Sequence, residues 1–327
     1  MGFDQLSSEQ QRALFTEAAQ KAFFAWHRNN YGVLELISLR SNAVFSVAYP
    51  KSSMAMRHIL RVNWPERKPR EVIDGEMQWM SALRRAGLPV PSVIRMPLPV
   101  MVDGAPEMIC TLTEFLDGAE AAAADYTPTH AAAVGRAAAR IHAAAASGLT
   151  RPRLDYEGLF GANSPYASDS EGEALLIPYR ATLDGVTARV QGVFDRLDAL
   201  SGQFGMIHGD LKPDNLLFAA PDAPRVLDFD DCGYGYTLYD LAPLLLFLKP
   251  NPAYDELKAA LWEGYTALRR LADGLYGELE TLVAGRFVAS CRWVAAHREH
   301  PAYRGKVESI LAERAARLAG FLETGAL

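Results

Sequence analysis

Residues 206–231 of this 327-residue chain, MIHGDLKPDNLLFAAPDAPRVLDFDD, set three polar clusters between apolar runs. His208-Gly209-Asp210 comes first, Asn215 follows Asp210 after four intervening residues, and Asp228-Phe229-Asp230-Asp231 closes the stretch. Between Asn215 and Asp228 lie Leu216-Leu217-Phe218, a proline-rich turn and Arg225-Val226-Leu227. That punctuation predicts a β-hairpin, which brings a carboxylate, an amide and a second carboxylate to one end. Phosphoryl transfer calls for such a set. One Asp orients a hydroxyl and takes its proton; an Asn and another Asp hold Mg²⁺, which neutralises charge growing on the phosphate.

The elements around this stretch can be read from periodicity. Residues 33–39, 43–49, 58–62 and 108–113 alternate or run apolar as strands do, and a glycine-free turn at Ser41-Asn42 joins the first two. Residues 71–86 read as a helix whose apolar arc holds Val72, Ile73, Met77, Trp79, Met80 and Leu83. Glu76 falls within that arc, where a carboxylate needs a partner. Arg61, on the third strand, is the expected partner. Gly87-Leu88-Pro89 ends the helix. Glu114-Phe115-Leu116 leaves the last strand as a connector whose backbone groups can read a nucleobase edge. A helix over 8–28, capped at Ser8 with Gln11 following, is expected to pack on these strands.

From 119 onward the chain reads as helical. Residues 128–146 are alanine-rich, and His142 near their end reads as a packing or capping residue. Residues 147–175 read as the longest irregular region, 176–200 as a helix, and 253–325 as helical with breaks near Gly274 and His300-Pro301. Asp240 stands at an expected helix start, twelve positions after Asp228, too close for a long phosphorylated activation loop.

A chain of 327 residues exceeds one small core, so two lobes are expected, 1–116 and 117–327. A net charge of −6 argues against a nucleic-acid-binding surface. Cys110, Cys232 and Cys291 share no disulfide or metal-ligand spacing. The N-terminus lacks a signal-peptide pattern and no apolar run reaches membrane-span length. A soluble cytoplasmic protein without membrane or nucleic-acid partners is the expectation.

The motifs resemble those of the aminoglycoside phosphotransferase and choline kinase superfamily, relatives of the protein kinases. HGDxxxxN stands at His208 to Asn215, an apolar residue then Asp-x-x-Asp at Leu227, Asp228 and Asp231, and Asp-Leu-Ala at Asp240-Leu241-Ala242. The resemblance covers most of the chain and is strongest at 206–243. It implies an α+β protein-kinase-like fold: a small N-terminal antiparallel β-sheet lobe with a helix, and a larger, mainly helical C-terminal lobe that carries catalysis and the acceptor. It implies Asp210 as catalytic base, Asn215 and Asp228 on Mg²⁺, Asp240 as a brace for the loop backbone, and Asp231 as a second-metal or structural residue beside His208. Arg61 and Glu76 match the phosphate-anchoring pair, with Arg in place of the usual Lys. Ser41 and Asn42 match the phosphate-covering turn, and Glu114, Phe115 and Leu116 the hinge. Gly209 replaces the Arg that reads an activation-loop phosphate, so control by phosphorylation there is not expected. Lys212 occupies a position where aminoglycoside-type enzymes often have His and Ser/Thr protein kinases have a Lys on the γ-phosphate.

The expected function is transfer of the γ-phosphate of ATP, with GTP as the alternative donor, to a hydroxyl of a small molecule such as an aminoglycoside, an amino alcohol or homoserine. Two other readings stand beside it: a Ser/Thr protein kinase of the bacterial stress-response type with a protein substrate, and a nucleotide-binding pseudokinase. Asp117, Glu120, Asp169, Glu171 and Glu173 would suit a cationic acceptor, and Arg292, His297, Arg298 and His300 an anionic one.

Overall fold

The structure is a computed structural model and describes residues 3–27, 32–49, 57–144, 146–162, 164, 166–300 and 302–327. The expected helix end at Arg28 and the break at Pro301 lie outside those residues. The chain divides into two units, Met1–Asp117 with Ala146–Arg151, and Gly118–Ala145 with Pro152–Leu327.

In the first unit the opening helix, α1, spans Ser8–Trp26. Ser7 caps it rather than Ser8: Ser7 Oγ accepts from Gln10 N at 3.2 Å, and Gln10 Oε1 accepts from Ser7 N at 2.9 Å. The reciprocal box thus sits one residue earlier than expected, because Gln10 holds the third helical position. Phe15, Ala18, Ala19, Ala22 and Phe23 are buried on one side of α1. They share a core with Phe45, Leu60 and Leu112 of a five-stranded antiparallel sheet. Its strands are β1 (Val33–Leu39), β2 (Asn42–Ala48), β3 (Arg57–Asn63), β4 (Val93–Val100) and β5 (Met108–Glu114), in the order β1-β2-β3-β5-β4. On β2 the alternation places Ala43, Phe45 and Val47 in the core.

β4 was not among the expected strands. Its sequence, VIRMPLPV, holds two prolines that cannot donate to a ladder, and its pairing with β5 is broken by register shifts. It lies at the sheet edge, where prolines are tolerated. Helix α2 (Arg70–Arg85) connects β3 to β4. Residues 146–151 run across it: Arg151 Nη1 donates to Val72 O at 2.8 Å, and a Cβ at Gly75 would come within 2.6 Å of Thr150 O. Only glycine allows that approach.

The second unit opens with α3 (Pro128–Ala143), which stops short of the expected end at 146. The stretch expected to be irregular contains β6 (Arg153–Leu154), α4 (Tyr156–Phe160) and α5 (Ser170–Leu176). Two aspartates make these short helices: Asp155 Oδ1 accepts from Gly158 N at 3.0 Å and Asp169 Oδ1 from Gly172 N at 2.9 Å. Then come α6 (Arg180–Asp198), β7 (Phe204–Ile207), β8 (Leu216–Phe218), β9 (Pro224–Val226) and β10 (Gly233–Tyr236). Helices α7 (Ala242–Leu248), α8 (Tyr254–Thr266), α9 (Leu279–Ala296) and α10 (Val307–Thr324) complete the unit. β8 and β9 form the expected hairpin, while β10 pairs parallel to β6 and antiparallel to β7. An antiparallel sheet followed by a mostly helical remainder is the α+β arrangement read from the sequence. Among the described residues no helix is long and apolar enough to cross a membrane.

Candidate active site

The hairpin register pairs Leu216 with Val226, Leu217 with Arg225 and Phe218 with Pro224. One further backbone bond, Leu227 N to Asn215 O at 2.9 Å, ties Asn215 to the residue before Asp228. His208 makes a second tie: its Nε2 donates to Leu227 O at 2.8 Å, while its Nδ1 accepts from Asp210 N at 3.3 Å. Those two bonds occupy both ring nitrogens and fix the orientation of the imidazole. Its ring packs on buried Phe229 at 4.7 Å between centroids. The 208–215 loop and the 227–231 turn are therefore one bonded unit.

Two backbone features shape it. Gly209 has φ +83°, and a Cβ there would drive into the Asp231 carbonyl. The glycine that stands where a protein kinase has Arg is thus demanded by the fold of the loop. Asp228 holds φ +57°, a left-handed conformation that a non-glycine residue adopts at a cost of about 1–3 kcal/mol. Strain of this kind persists where the surroundings fix it.

Asp210 and Asn215 are both buried. Asn215 Nδ2 donates to Asp210 O at 2.8 Å and to Asp210 Oδ2 at 3.2 Å. Its amide nitrogen is consequently committed to Asp210, which leaves Oδ1 as the atom that could take a cation. Lys212 Nζ lies 2.6 Å from Asp210 Oδ2.

Asp240 sits in a short 3₁₀ turn, Tyr239–Leu241, ahead of α7. Its Oδ2 accepts from His208 N at 2.8 Å and its Oδ1 from Gly209 N at 2.7 Å. His142 Nε2 lies 2.9 Å from the same Oδ2, and His142 Nδ1 bonds Tyr265 Oη at 2.9 Å. The histidine expected to be a packing residue is in fact a link in this network. Burial alone would raise the Asp240 pKa; the bonds from His142 and the His208 amide outweigh it and hold the carboxyl below its ordinary range.

The sequence reading missed Arg286. It projects from α9, with Nη2 2.6 Å from Asp210 Oδ1 and Nη1 donating to Tyr166 Oη at 2.8 Å. A cation inside the apolar run Leu282–Cys291 was the available signal, since such a charge must be paired. Its partner is 76 positions away and no local pattern names it.

The two charge sets expected to face an acceptor are partly spent on each other. Arg298 holds Asp169 at 2.8 Å and Glu171 at 2.5 Å, Glu173 lies 3.5 Å from Arg180, and Asp117 pairs with Arg57. Arg292 donates to Leu159 O and Gly161 O, and His297 is stacked on Trp293. Glu120 is exposed, and His300 Nδ1 accepts from Ala302 N at 3.2 Å. Glu173, Arg180 and Arg292 line a cleft of about 130 Å³ with Tyr156 and Asp184.

In the first unit Arg61 and Glu76 meet in a two-point ion pair, Nη1–Oε1 2.9 Å and Nη2–Oε2 2.7 Å. Glu76 is 1% exposed and Arg61 12%. Glu76→Gln keeps the shape but loses the charge, and is expected to cost about 2 kcal/mol of stability, as for a hydrogen bond to a charged group. Urea unfolding of the variant checks this. Asn42 Oδ1 accepts from Trp64 N at 2.9 Å, so its amide pins the β1–β2 turn to the end of β3, with Ser41 exposed beside it. Glu114 Oε2 accepts from Ser92 Oγ at 2.8 Å and lies 3.4 Å from Arg84. The amides of Glu114 and Phe115 already donate to Ser92 O and Arg57 O. Of the three connector residues, Leu116 is thus the one whose N–H is not spent in these backbone bonds.

The donor set suits a hard divalent ion. Asn215 Oδ1 and the Asp228 carboxylate could offer oxygen atoms to such an ion, and among the described residues no three His, Cys, Asp or Glu groups converge into a cage. Two protein oxygens completed by substrate phosphates and water are what Mg²⁺ takes at phosphoryl-transfer sites.

Comparison with known proteins agrees with this geometry. The model of the phosphotransferase enzyme family matches residues 33–275. Homoserine kinase of Allorhizobium ampelinum is 30% identical over 167 residues, 48% of this chain and 48% of that protein, so the match spans about half of the relative's length. The microcompartment-associated aminopropanol kinase superposes with a TM-score of 0.75 at 25% identity, covering 95% of this chain and 98% of that one. An amicoumacin kinase in complex with AMP-PNP and Ca²⁺ shares the fold, with a TM-score of 0.74 at 17% identity and 96% of each chain covered. The chain belongs to the phosphotransferase enzyme family and has its protein-kinase-like fold.

Proposed function

We propose that this protein transfers the γ-phosphate of ATP to a hydroxyl group of a small molecule. The observation that carries the reading is the bonded 208–231 unit, in which Asp210, Asn215 and Asp228 are fixed together by the His208 and Leu227 ties. The hydroxyl oxygen attacks the γ-phosphorus, and the bond to the bridging oxygen breaks, so that ADP leaves with the electron pair. Asp210 orients the hydroxyl and takes its proton. Lys212, beside Asp210, offers its ammonium to a γ-phosphate oxygen. Asn215 Oδ1 and Asp228 would hold Mg²⁺, with Asp231 near enough in sequence to serve a second ion or the turn. The metal, when bound, supplies positive charge against that building on the transferring group. Arg61, steered by Glu76, anchors the nucleotide phosphates, and the Leu116 N–H reads the base edge. GTP, the other donor open in the sequence, has no support.

Small-molecule kinases among the relatives support a small acceptor over a protein. So does the chain after Asp231, which enters β10 at Gly233 and leaves no room for a long activation segment. The buried Cys110 and Cys291, neither in a disulfide, support a reducing, cytoplasmic setting. The test is a coupled ADP-release screen against amino alcohols, aminoglycosides, sugars, homoserine and a generic protein acceptor. Mg²⁺-dependent release with one small-molecule class is the expected result. Transfer only to protein, or ATP binding with no transfer to any acceptor, would overturn it.

A further inference from the structure

We propose that Arg286 is a positioning residue that fixes the carboxylate of Asp210 in the orientation the acceptor hydroxyl requires, an inference that rests on the reading of Asp210 as the base. The two oxygens of Asp210 are divided between partners. Oδ1 is held by Arg286 Nη2 at 2.6 Å, while Oδ2 meets Lys212 Nζ at 2.6 Å and Asn215 Nδ2 at 3.2 Å. The partners differ in stiffness. Lys212 is a flexible side chain, 26% exposed, and the γ-phosphate competes for its ammonium. Asn215 Nδ2 divides its bonding with the Asp210 carbonyl. Arg286 is 12% exposed and held from behind, because its Nη1 donates to Tyr166 Oη at 2.8 Å. Its guanidinium lies 5.3 Å from the centre of the buried Tyr166 ring.

The Asp χ2 torsion is broad and two-fold, so a carboxylate without a fixed partner samples a wide arc. A planar guanidinium tied at both ends, on a helix whose neighbours Val283, Ala284 and Phe287 are buried, removes that freedom. It also remains in place when Lys212 turns to the phosphate. Arg286 acts through Asp210.

The experiment compares wild type, Arg286→Gln, Arg286→Lys, Asp210→Asn and the Arg286→Gln/Asp210→Asn double variant, with the acceptor found in the ADP-release screen. Arg286→Gln is expected to lower kcat about 100-fold, the cost of misplacing a reacting group by about 1 Å, with the KM for ATP within about twofold. Adding Arg286→Gln to Asp210→Asn is expected to change kcat by less than about threefold, because both act through one carboxylate. Arg286→Lys keeps the charge and loses the fork, and is expected to stay folded with kcat about tenfold below wild type. It decides the matter if Arg286→Gln fails to fold. Wild-type kcat in Arg286→Lys, or a further 100-fold loss in the double variant, would overturn the proposal. If Asp210→Asn keeps wild-type turnover, the reading of Asp210 falls and takes the role of Arg286 with it. If Asp210→Asn is impaired while Arg286→Gln is fully active, Arg286 alone is wrongly assigned.

Discussion

Asp210→Ala is expected to lower turnover by about 10³-fold, within the range for a positioned general base, and to leave Mg·ATP affinity within about twofold. The split follows from where the groups sit. The two proposed metal oxygens belong to Asn215 and Asp228; the backbone that carries them is tied through Leu227 and His208, and the shorter of the two Asn215 Nδ2 bonds goes to the Asp210 main-chain oxygen, which the substitution keeps. The proposed phosphate-anchoring pair is Arg61 with Glu76, closed on itself by two bonds. Nucleotide binding therefore keeps its machinery when the Asp210 carboxylate is removed, while the acceptor loses the group that orients it. Alanine also strips Arg286 of its ion-pair partner in a nearly closed environment, and breaking such a pair destabilises by about 3–5 kcal/mol. Asp210→Asn is the better control for this reason, since it retains an oxygen for Arg286 and removes the basic function. Single-turnover transfer from labelled ATP, beside a direct titration with the nucleotide, separates the two effects. Near-normal turnover in both variants would sink the assignment of Asp210.

The 206–231 hairpin was legible because its information is local. Asp210, Asn215 and Asp228 are set by short spacings and two three-residue strands, so order in the chain becomes proximity in space. Glu76 was legible for a different reason: a carboxylate within an apolar helical arc has to find a cation, and Arg61 on the preceding strand was the one within reach. Arg286 obeys the same rule from an apolar helix, yet its partner comes from another element far away in sequence, and helical periodicity carries no information about which element that is. β4 was hidden because edge strands tolerate the prolines that argue against a strand elsewhere. The polar stretch 147–175 looked irregular because its aspartates and glycines are turn formers; in the fold two of those aspartates serve as helix caps. The acidic and basic sets proposed to face an acceptor could not be told from mutual partners, since Asp169 and Arg298 are joined only by tertiary structure.

Asp240→Asn, an exchange that preserves volume, is expected to cost about 3–5 kcal/mol of stability at neutral pH, as when one partner of a buried charged network is lost. The reason is the donor count. Asp240 is fully buried and meets the amides of His208 and Gly209 through different oxygens, with His142 Nε2 on one of them. An asparagine has one oxygen, so its NH₂ must face either an amide N–H or the His142 Nε2 edge, and a buried donor is left unsatisfied. Because those amides belong to the residues just before Asp210, kcat should fall along with stability. The pH dependence has a definite sign. The Asp240 pKa is depressed: burial opposes ionisation, but the His142 and His208 bonds more than offset it. A depressed carboxylate contributes fully above its unfolded value of about 3.9 and loses that contribution as pH falls through its folded value. Protonated Asp240 then resembles asparagine in having a donor where an acceptor is needed. The stability gap between wild type and Asp240→Asn should accordingly be constant from pH 7 down to about 5 and narrow progressively in more acidic solution. Urea unfolding of both proteins across that range measures it, and parallel curves down to the acid limit would show that the Asp240 charge is not what braces the loop.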